Sequence, residues 1–206
     1  MSEMFELDLR KLPVPDDKLP DPDNISYYVL EHERKIYLDT DIDEYVMELH
    51  RMILRWNMED KGKPVEERTP IRLYIMSYGG DLDYMWAIVD AINVSVTPVY
   101  TINIGVCASA ASLIFMAGHK RLMLPTAKVL IHEGSAQIGG DAQKTLDAAD
   151  TYKKQIKQMK DFILQHSQIP QAQLNKKRNN DWTIDAQQCL EYKICDQIVS
   201  LMDEII

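Results

Sequence analysis

The chain is poor in the features that mark several large classes of protein. Its three cysteines, Cys107, Cys189 and Cys195, are odd in number and unpaired in spacing, which excludes a disulfide framework and a paired-cysteine metal site. The longest apolar stretch, residues 104–118, is shorter than the roughly 18 residues of a membrane span and contains serines. We therefore expect a protein of the reducing cytoplasm that has no membrane partner.

Basic residues are also scarce, with 23 against 32 acidic residues and a net charge of −9. Binding to nucleic-acid phosphates needs the opposite balance, so nucleic acid is not an expected partner. The basic cluster at residues 176–178 is interpreted as part of a solvated surface. Hydrophobic residues make up 46% and charged residues 27%, and the length is 206 residues, which together predict one folded domain.

Residues 1–24 differ from the rest of the chain. They contain four of the nine prolines, which favour extended backbone, and seven acidic against three basic residues. No basic start followed by an apolar run is present, so a signal peptide is not indicated. We interpret 1–24 as an N-terminal arm or extension, either partly disordered or packed on a neighbouring subunit, and 25–206 as the folded domain.

From Ile25 onward, short apolar runs alternate with segments of helical spacing. The predicted strands are 34–40, 70–77, 98–104, 121–124 and 129–132. The predicted helices are 42–58, a segment opened by Tyr78-Gly79-Gly80, 108–117 and 142–168. Gly105 is predicted to form the turn that ends the third strand. This alternation predicts an α/β domain with a parallel sheet and right-handed crossovers.

The helix at 142–168 has apolar residues on one stripe and lysines opposite. We expect its N-terminal half to face the sheet and the remainder to project from the body.

Two segments are candidates for binding a ligand, because ligands of such folds lie where strands end and helix amides are free. Gly79 and Gly80 follow a strand, so their amides can approach a substrate carbonyl and stabilise an oxyanion. A tight turn explains the glycines equally well. Ser109 lies in the first turn of the predicted helix 108–117, where the amide of Ala110 and the positive helix end can stabilise negative charge. A helix-capping serine is the alternative there.

A serine nucleophile needs a base, and the base needs an orienting acid. Of the five histidines, His132 ends the predicted strand V-L-I-H and would reach the same sheet edge as Ser109 and Gly80. It can also be a buried structural histidine. Asp181 is a candidate acid and equally a turn or capping residue. From these residue types alone, both interpretations remain open.

Four segments, in order, resemble the proteolytic subunit of the Clp protease, over about Glu33 to Val199. They are Y-I-M-S-Y-G-G-D, G-V-C-A-S-A-A-S, V-L-I-H-E-G and N-N-D-W-T-I-D-A-Q-Q-C-L-E-Y-K-I-C-D-Q-I. Four ordered motifs are far more specific than any single one. The resemblance implies that residues 25–206 form a Clp-type serine peptidase domain.

The resemblance also implies a role for each candidate residue. Ser109 would be the nucleophile, His132 the general base and Asp181 the acid that orients it. The backbone amides of Gly80 and Ala110 would form the oxyanion hole.

The fold implied by the resemblance is the ClpP/crotonase-like one, with repeated ββα units and a projecting handle helix. Subunits of this family form a homo-oligomer of two stacked heptameric rings around a chamber. The segment from Gly134 to Gly140 would pair with substrate backbone, through Gly134, Ile138 and Gly139.

The implied substrate is unfolded polypeptide delivered by an AAA+ unfoldase. The sequence has no G-x-x-x-x-G-K-[ST] motif, so we expect that this chain has no cofactor and that the partner uses the ATP.

Some positions depart from the family pattern. Residues 75–80 read I-M-S-Y-G-G where I-N-S-P-G-G is common, and residues 192–196 read Y-K-I-C-D where Y-G-x-x-D is common. Arg72 stands where the family often has an aromatic residue in the groove that receives the unfoldase. Residues 61–69 look like an insertion. These departures concern partners more than chemistry.

Two alternative functions remain on the same fold. One is a phage-type or dedicated processing protease that cuts specific proteins. The other is a noncatalytic ring subunit or crotonase-like protein that uses only the oxyanion amides. The joint presence of Ser109, His132 and Asp181 favours a peptidase.

Overall fold

The computed structural model describes residues 25–134, 139–177 and 181–206. The described helices are α1 (Ile25–His32), α2 (Met47–Glu59), α3 (Leu82–Val94), α4 (Ala110–Met116), α5 (Ala142–Gln165), α6 (Gln171–Lys177) and α7 (Ala186–Glu191). The described strands are β1 (Lys35–Leu38), β2 (Ile71–Ser77), β3 (Val99–Ala108), β4 (Lys120–Met123), β5 (Lys128–Ile131), β6 (Trp182–Asp185) and β7 (Gln197–Ile198). Short 3₁₀ turns occur at Glu44–Val46, Val65–Glu67 and Met202–Glu204.

Within the described ranges, the strands form one sheet with the order β1-β2-β3-β4-β7. β5 branches from this order and pairs with β3 and β6. The β5–β6 pair is antiparallel, while the other pairs are parallel. The predicted α/β class with a mostly parallel sheet is confirmed, and the antiparallel pair is an addition to it.

β3 branches the sheet, because its first half pairs with β4 and its second half with β5. The predicted turn at Gly105 is wrong, since β3 continues through this residue to Ala108. The Gly105 amide donates to the Asn103 side-chain oxygen at 3.1 Å. The β2–β3 register shifts nearby, between Ile75 and Ser77. Glycine therefore accompanies an irregularity within the strand and does not end it.

Aspartate caps explain where three helices begin. The carboxylates of Asp81, Asp141 and Asp185 accept hydrogen bonds from amides in the first turns of α3, α5 and α7. At the start of α7, the Gln188 side-chain oxygen also accepts a hydrogen bond from the Asp185 amide, which completes a capping box. Such caps satisfy amides that have no acceptor inside the helix.

The main core lies on one face of the sheet, where buried residues of α2, α3 and α4 pack against β1, β2 and β3. α4 is buried along its whole length. Its two leading alanines allow close approach to the sheet. A smaller cluster joins alternate strand residues to the C-terminal segment, and it contains Tyr74, Ile102, Leu122, Val199 and Ile205.

The orientation predicted for α5 is wrong. Its buried residues, Met159, Phe162 and Ile163, lie in the C-terminal half, whereas Leu146 near the start is 62% exposed. The first turns read A-Q-K-T-L-D-A-A-D and carry too few large apolar side chains to bury a face. The N-terminal half of α5 is therefore the part that extends from the core, and the helix ends at Gln165.

None of the described helices combines the length and the apolar character that a membrane span requires. Residues 1–24 and Ile138, for which the sequence predicted an arm and a substrate contact, lie outside the described residues.

Candidate active site

Ser109 occupies the connection from β3 to α4 in a conformation that side chains rarely adopt, with φ 54° and ψ −125°. Its amide donates to the Leu130 carbonyl of β5 at 2.9 Å, which ties this turn to the strand that leads to His132. Its hydroxyl makes no capping bond to α4. The capping-serine interpretation is therefore wrong, and a strained backbone with an uncommitted hydroxyl is typical of functional sites.

Gly79 and Gly80 lie against two different segments. Gly79 O accepts from the Ile42 amide at 2.9 Å, and the Asp81 amide donates to Ile42 O at 2.8 Å. Because amides alternate in direction along an extended chain, the Gly80 amide points away from Ile42. A Cβ on Gly79 would lie 2.8 Å from Ser109 Cβ. Close packing therefore requires both glycines, beyond the needs of a turn: Gly79 packs beside the serine, and Gly80 packs on the Ile42 backbone.

The amide of Ala110 lies in the same place. Ala110 is the first residue of α4, where an N–H group has no acceptor within its helix. Its nitrogen lies 3.0 Å from the position that a Cβ on Gly79 would take. The structure therefore brings the two segments proposed to hold an oxyanion into contact beside Ser109.

His132 and Asp181 are brought together by the antiparallel pair. The last register pair of the β5–β6 ladder is Ile131 with Trp182, so both side chains stand one residue beyond it. His132 Nδ1 lies 3.3 Å from Asp181 Oδ1. The histidine side chain is 32% exposed and the aspartate 71%. The aspartate therefore contacts the base. The sequence predicted His132 as the last residue of its strand, whereas β5 ends one residue earlier, at Ile131.

This contact has a chemical consequence. A carboxylate at Nδ1 favours the tautomer that carries a proton there, so Nε2 is left to accept one. That is the arrangement required of a histidine base.

The comparisons with known proteins are consistent with this geometry. The Clp protease family model matches residues 23–202. The chain belongs to the Clp protease family. The proteolytic subunit 2 of the ATP-dependent Clp protease from Rhodococcus jostii is 32% identical over 177 residues, which cover 84% of this chain and 88% of the relative. The proteolytic subunit from Porphyromonas gingivalis is 31% identical, with 81% and 74% covered. That from Deinococcus radiodurans is 27% identical, with 84% and 83% covered.

The resemblance found in the sequence is thereby confirmed, and the chain is a Clp-type serine protease by family. The individual roles of Ser109, His132, Asp181, Gly80 and Ala110 stay predictions, which the geometry supports.

The cysteine nearest to the serine is not a competing nucleophile. Cys107 is fully buried, and burial raises the pKa of its thiol well above the ordinary value. Burial likewise raises the pKa of Cys195, to about 11. Thiolates are the reactive form, so these side chains are inert at neutral pH. The partly exposed Ser109 remains the candidate nucleophile of this turn.

The substrate-binding prediction is only partly within the described residues. Gly134 is exposed and has φ 78°, and Gly139 is exposed with open space around its Cα. Neither belongs to a strand, and Ile138 between them is not described. The pairing of this segment with substrate therefore stays a prediction.

Three residues at or near the base were not predicted from the sequence. Glu133 follows His132, and its carboxylate lies 2.5 Å from the Lys160 ammonium of α5. The Tyr152 hydroxyl of α5 donates to the Glu133 carbonyl at 2.9 Å. Helical spacing predicts which face of α5 is apolar, but no local pattern links this helix to the segment after β5.

Proposed function

We propose that this chain hydrolyses peptide bonds of unfolded polypeptides as a serine endopeptidase of the Clp type. The observation that carries the proposal is the contact between His132 and Asp181, directly beyond the end of β5, the strand that accepts a hydrogen bond from the Ser109 amide. An acid, a base and a hydroxyl in this order form the relay that activates a serine.

The mechanism follows from this arrangement. Ser109 Oγ attacks the scissile carbonyl carbon while His132 Nε2 takes the hydroxyl proton. The amides of Gly80 and Ala110 donate to the oxyanion that forms. On collapse, the amine leaves with the proton from His132, and the acyl group stays on Ser109. Water then attacks the ester by the same route, which releases the carboxylate product and restores the serine.

Replacing the nucleophile tests the proposal. Ser109→Ala should lower the hydrolysis of short fluorogenic peptides by on the order of 10⁴–10⁶ and abolish labelling by a fluorophosphonate. The matched control is Cys107→Ala, which removes a buried thiol two positions earlier and should keep both activities. Labelling that survives Ser109→Ala, or is lost only in Cys107→Ala, would overturn the assignment.

Assembly and delivery belong to the same proposal. The relatives are named as subunits of ATP-dependent proteases. We infer that this chain forms stacked rings in the cytoplasm, carries no cofactor and receives substrate from an AAA+ unfoldase that uses the ATP. The test is a stable folded protein with a disordered tail. The assembled chain should spare its folded body, because unfolding it requires about 5–15 kcal/mol, and should degrade it when an unfoldase and ATP are added.

A dedicated processing protease remains as the second candidate, because Arg72 stands at a groove position where the family often has an aromatic residue, and Tyr74, two residues further along β2, packs against residues of its own chain. Tyr74 is 5% exposed, and its ring stacks on Tyr37 with centroids 4.8 Å apart. Its hydroxyl donates to the Ile205 carbonyl, and burial raises its pKa to about 12. No stimulation by any AAA+ unfoldase, together with cleavage of one protein at one site, would favour this candidate.

A further inference from the structure

The base belongs to a short segment that the sheet does not hold. β5 ends at Ile131, and the ladder with β6 ends there as well. His132, Glu133 and Gly134 therefore follow without ladder hydrogen bonds in the described structure. The Nδ1–Oδ1 distance of 3.3 Å to Asp181 is longer than a good hydrogen bond, and that carboxylate is 71% exposed. Asp181 alone is a weak restraint on the orientation of the ring.

α5 supplies two restraints on this segment. The Lys160 ammonium contacts the Glu133 carboxylate at 2.5 Å, and the Tyr152 hydroxyl donates to the Glu133 carbonyl at 2.9 Å. A Cβ on Gly134 would lie 3.2 Å from the same hydroxyl, so the helix packs closely on the chain here. Side chain and backbone of one residue are thus both held by one helix.

The ion pair is better placed than an ordinary surface pair. Lys160 and Glu133 are 25% and 26% exposed, whereas the Lys153–Asp150 pair of the same helix is 76% and 69% exposed. Solvent screens a pair of the second kind almost completely. A partly covered pair keeps more of its attraction and holds its two chain segments together more firmly.

The neighbourhood of the base makes the pair more consequential. The pocket beside His132 is lined by apolar side chains of β5, α5, α6 and β6, apart from Glu133 and Lys160. Among the described residues, these two charged side chains line the same pocket as His132, and the Asp181 carboxylate contacts its Nδ1. Removing either member of the pair would leave the other charge uncompensated next to the base.

We propose that Lys160 and Tyr152 are positioning residues for the general base. They hold Glu133 to α5 so that the His132 ring stays against Asp181 and directed at the Ser109 turn. The inference rests on the proposed role of His132. It assigns to α5, which the family resemblance relates to assembly, a direct part in aligning the catalytic base.

The test compares substitutions on the two sides of the contact. Lys160→Gln should lower the rate of fluorophosphonate labelling and kcat on a short peptide by about tenfold with little change in KM, because misplacing a catalytic group by about 1 Å costs up to a hundredfold. Lys160→Arg should stay within about twofold of the unchanged protein, since it restores the ion pair. Tyr152→Phe, which removes only the hydroxyl, should cost about threefold.

The pH profile separates positioning from a general loss of structure. Lys160→Gln leaves a negative charge next to His132, which favours the imidazolium. The rising limb of the plot of kcat against pH should therefore shift to higher pH by roughly a few tenths of a unit. Glu133→Gln leaves a positive charge and moves the limb downward. The double variant should return the limb to its original position while the rate stays low.

Charge reversal provides the sharpest result. Glu133→Lys combined with Lys160→Glu should recover the labelling rate to within about threefold of the unchanged protein, whereas each single reversal should be worse than Lys160→Gln. Lys153→Gln is the matched control, because it removes an exposed pair of the same helix and should leave rate and pH profile unchanged.

The outcomes distinguish this inference from the proposed function. If fluorophosphonate labels Ser109 but Lys160→Gln, Tyr152→Phe and Glu133→Gln all label at the original rate, the positioning role is wrong and the peptidase assignment stands. If Ser109 is never labelled, the function itself is wrong. Native mass is measured for every variant. Should Lys160→Gln alter assembly, Glu133→Gln and Tyr152→Phe decide, and unchanged kcat in both refutes the inference.

Discussion

Two aspartates of this molecule have opposite surroundings. Asp60 is fully buried, and its carboxylate accepts hydrogen bonds from three side chains. The donors are Arg34 at 2.5 and 3.1 Å, Lys63 at 2.8 Å and Thr97 at 3.1 Å. Asp181, the candidate catalytic acid, is 71% exposed, and within the part of the chain that the structure describes its one ionic contact is with His132, at 3.3 Å. The scaffold thus surrounds its carboxylate with donors, and the site leaves its own carboxylate open to water. The buried network around Asp60 thus stabilises the fold, whereas the His132–Asp181 pair depends on other residues to hold it in position.

The buried network also explains how residues 61–69 are held. Arg34 donates to the Thr69 carbonyl at 3.0 Å, and Arg68 donates to the Thr97 hydroxyl at 3.3 Å. The C-terminal end of the segment that looks like an insertion is therefore hydrogen-bonded to the buried network around Asp60. The Arg34 guanidinium holds the pKa of Asp60 far below its usual range, although burial alone would raise it.

Of the two aspartates, Asp181 should have the larger effect on activity when it is replaced by asparagine. An amide cannot stabilise the imidazolium and favours the wrong tautomer, so kcat on a short peptide should fall by on the order of 10⁴. Because the side chain is exposed, the midpoint of thermal unfolding should not change. The comparison between the aspartates fails if this variant loses stability and keeps more than a tenth of its activity.

Asp60→Asn should give the reverse pattern. It removes the buried partner of Arg34 and leaves that guanidinium, among the described residues, only the longer ionic contact with the half-exposed Glu59, at 3.4 Å, which costs about 3–5 kcal/mol of unfolding free energy. Urea unfolding measures the loss, and the folded fraction should retain its kcat. Asp150→Asn is the matched control, since that carboxylate is exposed and its loss should leave the free energy of unfolding unchanged within the error of the measurement. Equal losses in the two variants would show that burial does not matter here.

The stability of the fold at acid pH should depend on the same carboxylate, that of Asp60. The folded pKa of Asp60 lies below the unfolded value of about 3.9, so the folded state binds fewer protons between these two values. The stability it contributes is complete above about pH 5 and is lost as the pH falls through 4 and below. Urea midpoints from pH 3 to 7 should therefore fall less steeply on the acid side in Asp60→Asn. Parallel curves would contradict the assigned pKa.

The sequence predicted what local patterns encode. Alternating apolar runs located β1, β2 and the helix that follows Gly80, because strand and helix periods are visible within a few residues. It did not predict the β5–β6 pair, whose Ile131 and Trp182 are distant in the chain. It also misplaced the buried half of α5, since an amphipathic stripe states which face is apolar and leaves open which end meets the core.

The candidate site shows the same division. Residue types alone left Ser109, His132 and Asp181 with structural alternatives, and only the ordered family motifs gave them roles. The strained φ of Ser109 and its bond to Leu130 arise from packing between distant segments. The contacts of α5 with Glu133 lie beyond any motif, because side chains from separate elements make them.

The smallest predicted effect concerns a second residue with a positive φ. Lys193 has φ 55°, nearly that of Ser109, and it follows α7 at the position where the Y-G-x-x-D pattern has glycine. Its amide donates to Leu190 O at 3.1 Å, and the next amide donates to Cys189 O at 2.8 Å, as at a helix end that needs a left-handed residue.

Lys193→Gly should therefore stabilise the fold. A side chain in this conformation costs about 1–2 kcal/mol, which the greater freedom of glycine in the unfolded chain offsets in part. The expected gain is about 0.5–1 kcal/mol, or roughly 1–4 °C in the unfolding midpoint for a domain of this size. Activity should not change, whereas Ser109→Gly, which relieves a similar conformation, should abolish it. Lys193→Ala removes the charge and keeps the Cβ, so its midpoint should stay near the original. An equal gain in Lys193→Ala would show that the lysine side chain, and not the backbone, is the source of the strain.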